Sequence, residues 1–253
     1  MDLLGKVAII TGASGDIGAG TALMFAEMGV NVAINYLSNR EKAEAGASKI
    51  ENMGKHCMVI QADASSVSEV DSMVSDTVNR FGRIDILVNN AGVRRKPGDH
   101  KYILDVTEEE WDMEISSHLK STFNCSKKVL PFMIKQKYGR IINISSVAAR
   151  SGSIGASVQY PAAKEGIAGF TKALANQVAK DGITVNVVAP GMIDSERIKW
   201  RTPAMMEEHI KKIPVGRLGK IEEVAATIVF LSSKNAAYIT GATIDVNGGM
   251  YMC

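Results

Sequence analysis

Lys6-Val7-Ala8-Ile9-Ile10-Thr11-Gly12-Ala13-Ser14-Gly15-Asp16-Ile17-Gly18 is the stretch from which the fold is read. A short β-branched run stops at a glycine-rich turn, and an amphipathic pattern begins directly after it. Glycines there allow tight turning and close backbone approach. A helix N-terminus adds free N–H groups and the positive end of a dipole, which together suit a pyrophosphate. Glycine turns are common as mere turns. It is the position at the first β-to-α junction that raises the ligand-binding reading above that one.

Working outward, strand candidates cover residues 6–11, 30–36, 56–62, 84–89, 140–145, 182–188 and 243–246. Most are continuous Val/Ile/Ala runs rather than in/out alternations, as expected for strands covered on both faces. Helix patterns lie between them at 17–28, 40–53, 67–81, 107–136, 159–180 and 221–231. This β-α alternation predicts an α/β fold, a single doubly wound Rossmann-type domain over residues 1–253 with a mostly parallel seven-stranded sheet. Two stretches break the alternation, 93–106 and 192–213, the second with its Met205-Met206 pair. Ligands of open α/β sheets sit beyond the carboxyl ends of the strands. Insertions there are natural walls for a substrate pocket, and 192–213 is expected to be a substrate lid.

Composition narrows the function classes. The 29 Lys and Arg nearly cancel the 27 Asp and Glu, so the basic stripe of a nucleic-acid binder is not expected. Three scattered cysteines, Cys57, Cys125 and Cys253, offer neither a disulfide framework nor a paired metal site. No apolar run approaches the roughly 18 residues of a spanning helix, and the start lacks the basic-then-apolar pattern of a signal peptide. A cytoplasmic protein, not bound to a membrane and holding no metal, is expected.

Several motifs resemble the short-chain dehydrogenase/reductase family, and they cover nearly the whole chain. Thr11 to Gly18 resembles its T-G-x-x-x-G-x-G turn, with Asp16 where the middle glycine normally stands. Asp16 is expected to cap the helix and point away from phosphates. Asn89-Asn90-Ala91-Gly92 matches N-N-A-G, Tyr160-Pro161-Ala162-Ala163-Lys164 matches Y-x-x-x-K, and Ser145-Ser146 precedes them. Pro190-Gly191 and residues 239–249 match the family's later turns. The resemblance implies cofactor contacts from Gly12, Ser14, Gly15, Asp16, Ile17, Gly18, Tyr36, Asp63, Ala64, Asn90, Ala91, Gly92, Pro190, Gly191, Ile193 and Ser195.

Tyr160 and Lys164 are four apart, hence on one helix face, and Pro161 fits only a first helical turn. Taken alone, such a pair reads as a solvated helix face. A phenol ordinarily titrates near 10, and a neighbouring ammonium stabilises its anion. The resemblance implies that Tyr160 exchanges a proton with the substrate oxygen, Lys164 binds the cofactor ribose and Ser146 holds the carbonyl. Ser145 is the rival serine, but Ser146 lies closer to the family's spacing from the tyrosine. His118 stands where the family has Asn, whose main-chain carbonyl holds a water leading to the lysine. Its side chain reads equally well as a satisfied helix histidine.

The end of the second strand carries no carboxylate before Glu41, while Ser38 and Arg40 are suited to donate to a 2′-phosphate. This favours NADP(H), with NAD the other option and a solvated Arg40 the plain alternative. The segments Pro214 to Gly219 and Val246 to Met252 look most like 3-oxoacyl-[acyl-carrier-protein] reductases. A carbonyl substrate carried on acyl carrier protein or coenzyme A is therefore expected, with Lys135, Lys137 and Lys180 as candidate docking residues beside Asp181. The 93–106 loop, basic at Arg94-Arg95-Lys96, points instead toward a different substrate, so a sugar or polyol dehydrogenase is the alternative. A cofactor-binding protein without catalysis is a third. The family's assembly implies a homotetramer, with a dimer as the alternative, through helices 107–136 and 159–180 and the C-terminal strand, where Gly166, Ala168, Gly169 and Ala173 of the second helix permit close approach.

Overall fold

The computed structural model describes residues 2–93, 100–152 and 157–253. Seven strands form one sheet in the order β3-β2-β1-β4-β5-β6-β7, and every pairing is parallel. They are β1 (Val7–Ile10), β2 (Asn31–Tyr36), β3 (Cys57–Gln61), β4 (Ile86–Asn89), β5 (Gly139–Ile144), β6 (Ile183–Pro190) and β7 (Thr243–Val246). The sheet is thus wholly parallel rather than mostly so. Central strands β1, β4, β5 and β6 are buried along their length, as two-sided coverage demands.

The helices are α1 (Asp16–Glu27), α2 (Arg40–Asn52), α3 (Val67–Phe81), α4 (Glu108–Glu114), α5 (Ser121–Gln136), α6 (Val147–Ser151), α7 (Gln159–Val178), α8 (Pro203–Lys211) and α9 (Ile221–Ser232). They bury their apolar stripes in two main clusters, one on each face of the sheet. Phe25, Ile50 and Ile228 mark the first; Met73, Val129 and Met133 mark the second. Local chemistry sets the ends. Asn39, Ser66, Thr107 and Thr202 accept first-turn N–H groups at α2, α3, α4 and α8, and Gly82 closes α3 at φ 77°.

Two expectations need correction. Residues 107–136 are not one helix, because a π-helical turn at Ile115–Lys120 separates α4 from α5. Helices α6 and α8 occupy stretches without a sequence assignment; each is a short, capped segment too brief for a clear period. The basic run Arg94 to Lys96 lies outside the described residues.

Candidate active site

Because all strands run the same way, the ends of β1, β2, β3, β4, β5 and β6 bring the sequence-predicted residues to one edge of the sheet. The turn from β1 into α1 is held by side chains from two neighbouring strands. Asn35 Oδ1 accepts the Gly12 N–H (3.2 Å), while the Asn35 amide donates to the carbonyls of Ile60 (3.4 Å) and Ala62 (2.9 Å). Asn90 Nδ2 donates to the carbonyls of Thr11 (3.1 Å) and Gly12 (3.0 Å), and Thr11 Oγ1 accepts from the backbone of Asn90 and Ala91. Asn35 was not singled out from sequence. Its signal was a lone amide inside an apolar strand, which must find partners when buried.

The glycines meet real constraints. Gly12 has φ +63°, and a Cβ on it would lie 2.9 Å from the Ala91 Cα. A Cβ on Gly18 would lie 2.7 Å from the Gly12 carbonyl oxygen. Around Gly15, by contrast, a Cβ would meet nothing within 4 Å. Gly15 precedes α1 with no side chain capping the helix, unlike α2, α3, α4 and α8. An uncapped helix start opening onto space beside a close-packed backbone fits a pyrophosphate.

Asp16 departs from expectation. It does not cap α1; it adopts φ 50°, tolerable for Asp, and its Oδ1 accepts the Glu196 N–H at 3.0 Å. The carboxylate is thereby engaged with the segment after β6.

Around the rim, Tyr36 is buried at the end of β2 and Ser38 is exposed. Arg40 opens α2 and pairs in solvent with Glu44 at 2.7 Å. Asp63 shapes the turn after β3, accepting the N–H and Oγ of Ser65 at 2.8 Å each, and Ala64 is buried behind it. The Pro190-Gly191 turn presses against Asn247, whose Cα a Cβ on Gly191 would approach to 2.7 Å. Ile193 is buried and bridges to Gly219; Ser14, Ile17 and Ser195 are half-buried along the same edge.

Tyr160 lies in the first turn of α7, as Pro161 requires. Lys164 is 4% exposed, and its Nζ donates to the Ile144 carbonyl at 2.8 Å and lies 5.9 Å from the centre of the Tyr160 ring. Burial, and secondarily the Arg197 charge, lower the Lys164 pKa to about 7. Arg197 itself was missed from sequence; it donates to the Val93 carbonyl at 3.3 Å.

The two serines divide their work. Ser145 Oγ donates to the Lys164 carbonyl at 2.9 Å, tying β5 to α7, whereas Ser146 Oγ accepts the Ala148 N–H at 3.1 Å as the cap of α6. Ser146 therefore keeps its own proton to donate. The His118 carbonyl accepts from Ser121 Oγ (3.1 Å) and Thr122 Oγ1 (2.8 Å), so a water would compete with two hydroxyls there. The His118 ring stands edge-on to Tyr160, with centres 5.5 Å apart.

A doubly wound parallel sheet, a glycine-rich cradle and a Tyr/Lys/Ser cluster beside it define a nicotinamide-dependent oxidoreductase. Comparison with known proteins agrees. Residues 12–251 match the family model described as enoyl-(acyl carrier protein) reductase. The 3-oxoacyl-[acyl-carrier-protein] reductase FabG of Staphylococcus aureus (strain Mu50) is 44% identical over 98% of both chains. That of Vibrio cholerae is 41% identical over 100% of both, and the 3-oxoacyl-[acyl-carrier-protein] reductase of Synechocystis is 43% identical over 99% of this chain and 98% of its own. The chain belongs to the short-chain dehydrogenase/reductase family.

Proposed function

We propose that this chain reduces the 3-oxo group of an acyl thioester, carried on acyl carrier protein or coenzyme A, to the secondary alcohol with NADPH as reductant. The observation that carries the reading is the buried Lys164 ammonium, anchored on Ile144 and set behind the Tyr160 ring at the edge where the glycine turn opens. Relatives named for this activity match the chain end to end.

The nicotinamide cofactor, when bound, supplies the hydride that reaches the carbonyl carbon. Ser146 Oγ donates to the carbonyl oxygen and holds it near Tyr160. The Tyr160 hydroxyl gives that oxygen its proton as the C–O π bond is lost. Lys164 stabilises the phenolate left behind and binds the ribose hydroxyls. The balance is one carbonyl, one hydride and one proton giving one alcohol. In a panel of acetoacetyl thioesters, ketoses and diketones, loss of NADPH absorbance is expected to be fastest with the thioesters. Turnover of ketoses or polyols with none of thioesters would instead establish the sugar or polyol dehydrogenase reading.

NADPH is favoured over NADH because no carboxylate closes the end of β2, where Ser38 and Arg40 stand. Arg40 is paired with Glu44, but an exposed i,i+4 pair in solvent contributes little. A charge-assisted, bidentate bond to a phosphate is the stronger interaction, so the phosphate wins. Arg40→Ala is expected to weaken NADPH binding about tenfold or more, the equivalent of that contact, and to leave NADH nearly unchanged. Equal affinity of the unmutated protein for both cofactors in a fluorescence titration would sink the assignment. Exposed apolar Phe123 and Ile134 on α5 and Val158 at the start of α7 support the proposed homotetramer.

A further inference from the structure

Glu114 is a carboxylate buried beside the catalytic cluster. It ends α4 on the buried side, and both it and His118 have side chains only 1% exposed. His118 follows four residues later, across the entry to the π-helical turn, so the two side chains share one face. Glu114 Oε2 lies 3.2 Å from His118 Nε2, close but not aligned as a full hydrogen bond, and His118 Nδ1 has no hydrogen-bond partner among the described residues. The imidazole is tightly boxed. A Cβ on Gly92 would fall 1.9 Å from its Cε1, and its other flank meets the Tyr160 ring. A buried carboxylate is costly unless it answers a positive charge.

We propose that Glu114 is the counter-charge of this catalytic centre: its carboxylate holds the His118 ring in place against Tyr160 and keeps a proton on Lys164. The inference rests on the Tyr160/Lys164 reading above. Among the described residues, charged and titratable groups face this point from several elements. From α7 come Lys164 and Tyr160, and from the segment after β6 comes the Arg197 guanidinium. Residues Ile144 and Ser145, at the end of β5 and just beyond it, present a carbonyl and a hydroxyl; Ser146 caps α6, and Arg150 of α6 faces Asp245 instead, at 3.5 Å. Among the described residues, Lys164 and Arg197 are the cations that bear on the site, and the Glu114 carboxylate opposes them. The directions agree. Burial dominates at Lys164 and Arg197 adds to it, while Glu114 acts the other way. At His118, burial and then the Lys164 charge lower the pKa to about 4, so the ring is neutral near pH 7 and its Nε2–H can point at Glu114.

Glu114 is thus a positioning and charge-balancing residue, acting through His118 and Lys164. Its test separates charge from packing. Turnover needs the ammonium form of Lys164, so it is lost as pH rises through that group's pKa; removing the opposing carboxylate lowers this pKa. Glu114→Gln, nearly isosteric, is expected to move the alkaline fall in turnover down by about one pH unit, a tenfold change in the protonation equilibrium. His118→Asn retains the carboxylate and is expected to leave the position of that fall in place, whatever it does to the rate. Independently, nitrogen NMR of the cofactor-free protein at pH 7 should find His118 neutral with its proton on Nε2. An unmoved alkaline fall in Glu114→Gln, or a charged or Nδ1-protonated His118 in the unmutated protein, would overturn the proposal. The NMR result stands even if no thioester is reduced, which keeps failure of the dyad distinct from failure of the functional reading.

Discussion

Tyr160→Phe is expected to bind NADPH as tightly as the unmutated protein and to lose turnover by about 10²–10⁴-fold or more, the usual worth of general acid–base transfer. The change removes one hydroxyl and keeps the ring. The ring stands edge-on to His118 at 5.5 Å and lies 5.9 Å from Lys164 Nζ, and both contacts are kept in the variant. Hydride delivery without a proton leaves an alkoxide with nothing to neutralise it, and that is where the rate is lost. Steady-state reduction of an accepted ketone, beside a separate fluorescence titration of NADPH, measures both halves. Turnover near that of the unmutated protein would remove Tyr160 as the proton donor, however well its surroundings fit.

Lys164 is expected to behave differently, since one ammonium serves both the phenol and the ribose. Lys164→Met keeps the apolar stem in its buried slot and deletes the charge. Turnover should fall by at least about 10²-fold, and NADPH affinity should fall with it by about tenfold, the loss of a charge-assisted hydrogen bond. The pH dependence of stability should change as well. Lys164 has its pKa lowered from 10.5 to about 7, chiefly by burial. Between those values the unfolded chain binds the proton that the folded protein gives up, so the contribution of Lys164 to stability rises with pH across that window. Below it, the buried ammonium is a standing cost. The denaturant midpoint of the unmutated protein is therefore expected to rise with pH between about 7 and 10.5 more steeply than that of Lys164→Met. Loss of turnover with unchanged NADPH binding would show that the lysine acts on the tyrosine alone.

Helices, strands and the glycine turn were legible in the sequence because each is a local property. Continuous Val/Ile/Ala runs mean strands buried on both faces, and an alternation of those with amphipathic stretches leaves a parallel sheet as the simple solution. That Tyr160 and Lys164 share a helix face was legible for the same reason, an i,i+4 spacing; their catalytic roles came only from the resemblance of Tyr160 to Lys164 to the family's Y-x-x-x-K motif. The orientation of Pro161 within the first turn is also local.

Tertiary structure alone decided what those local pieces do. Gly12 is held by Asn35 and Asn90, which come from other strands, and Asp16 engages Glu196, 180 residues away, rather than capping its own helix. Ser145 and Ser146 are adjacent in sequence, yet one is committed to α7 and the other is left with a proton to give; only the packing of β5 on α7 separates them. Glu114 and His118 could have been ordinary solvated positions on a helix face. Their burial against Gly92 and Tyr160, and the low dielectric that pushes Lys164 to about 7, come from closing three distant segments over one point. Periodicity determines which residues share a face. The charge that such a face must carry is set by what lands opposite it, and that is a property of the whole fold.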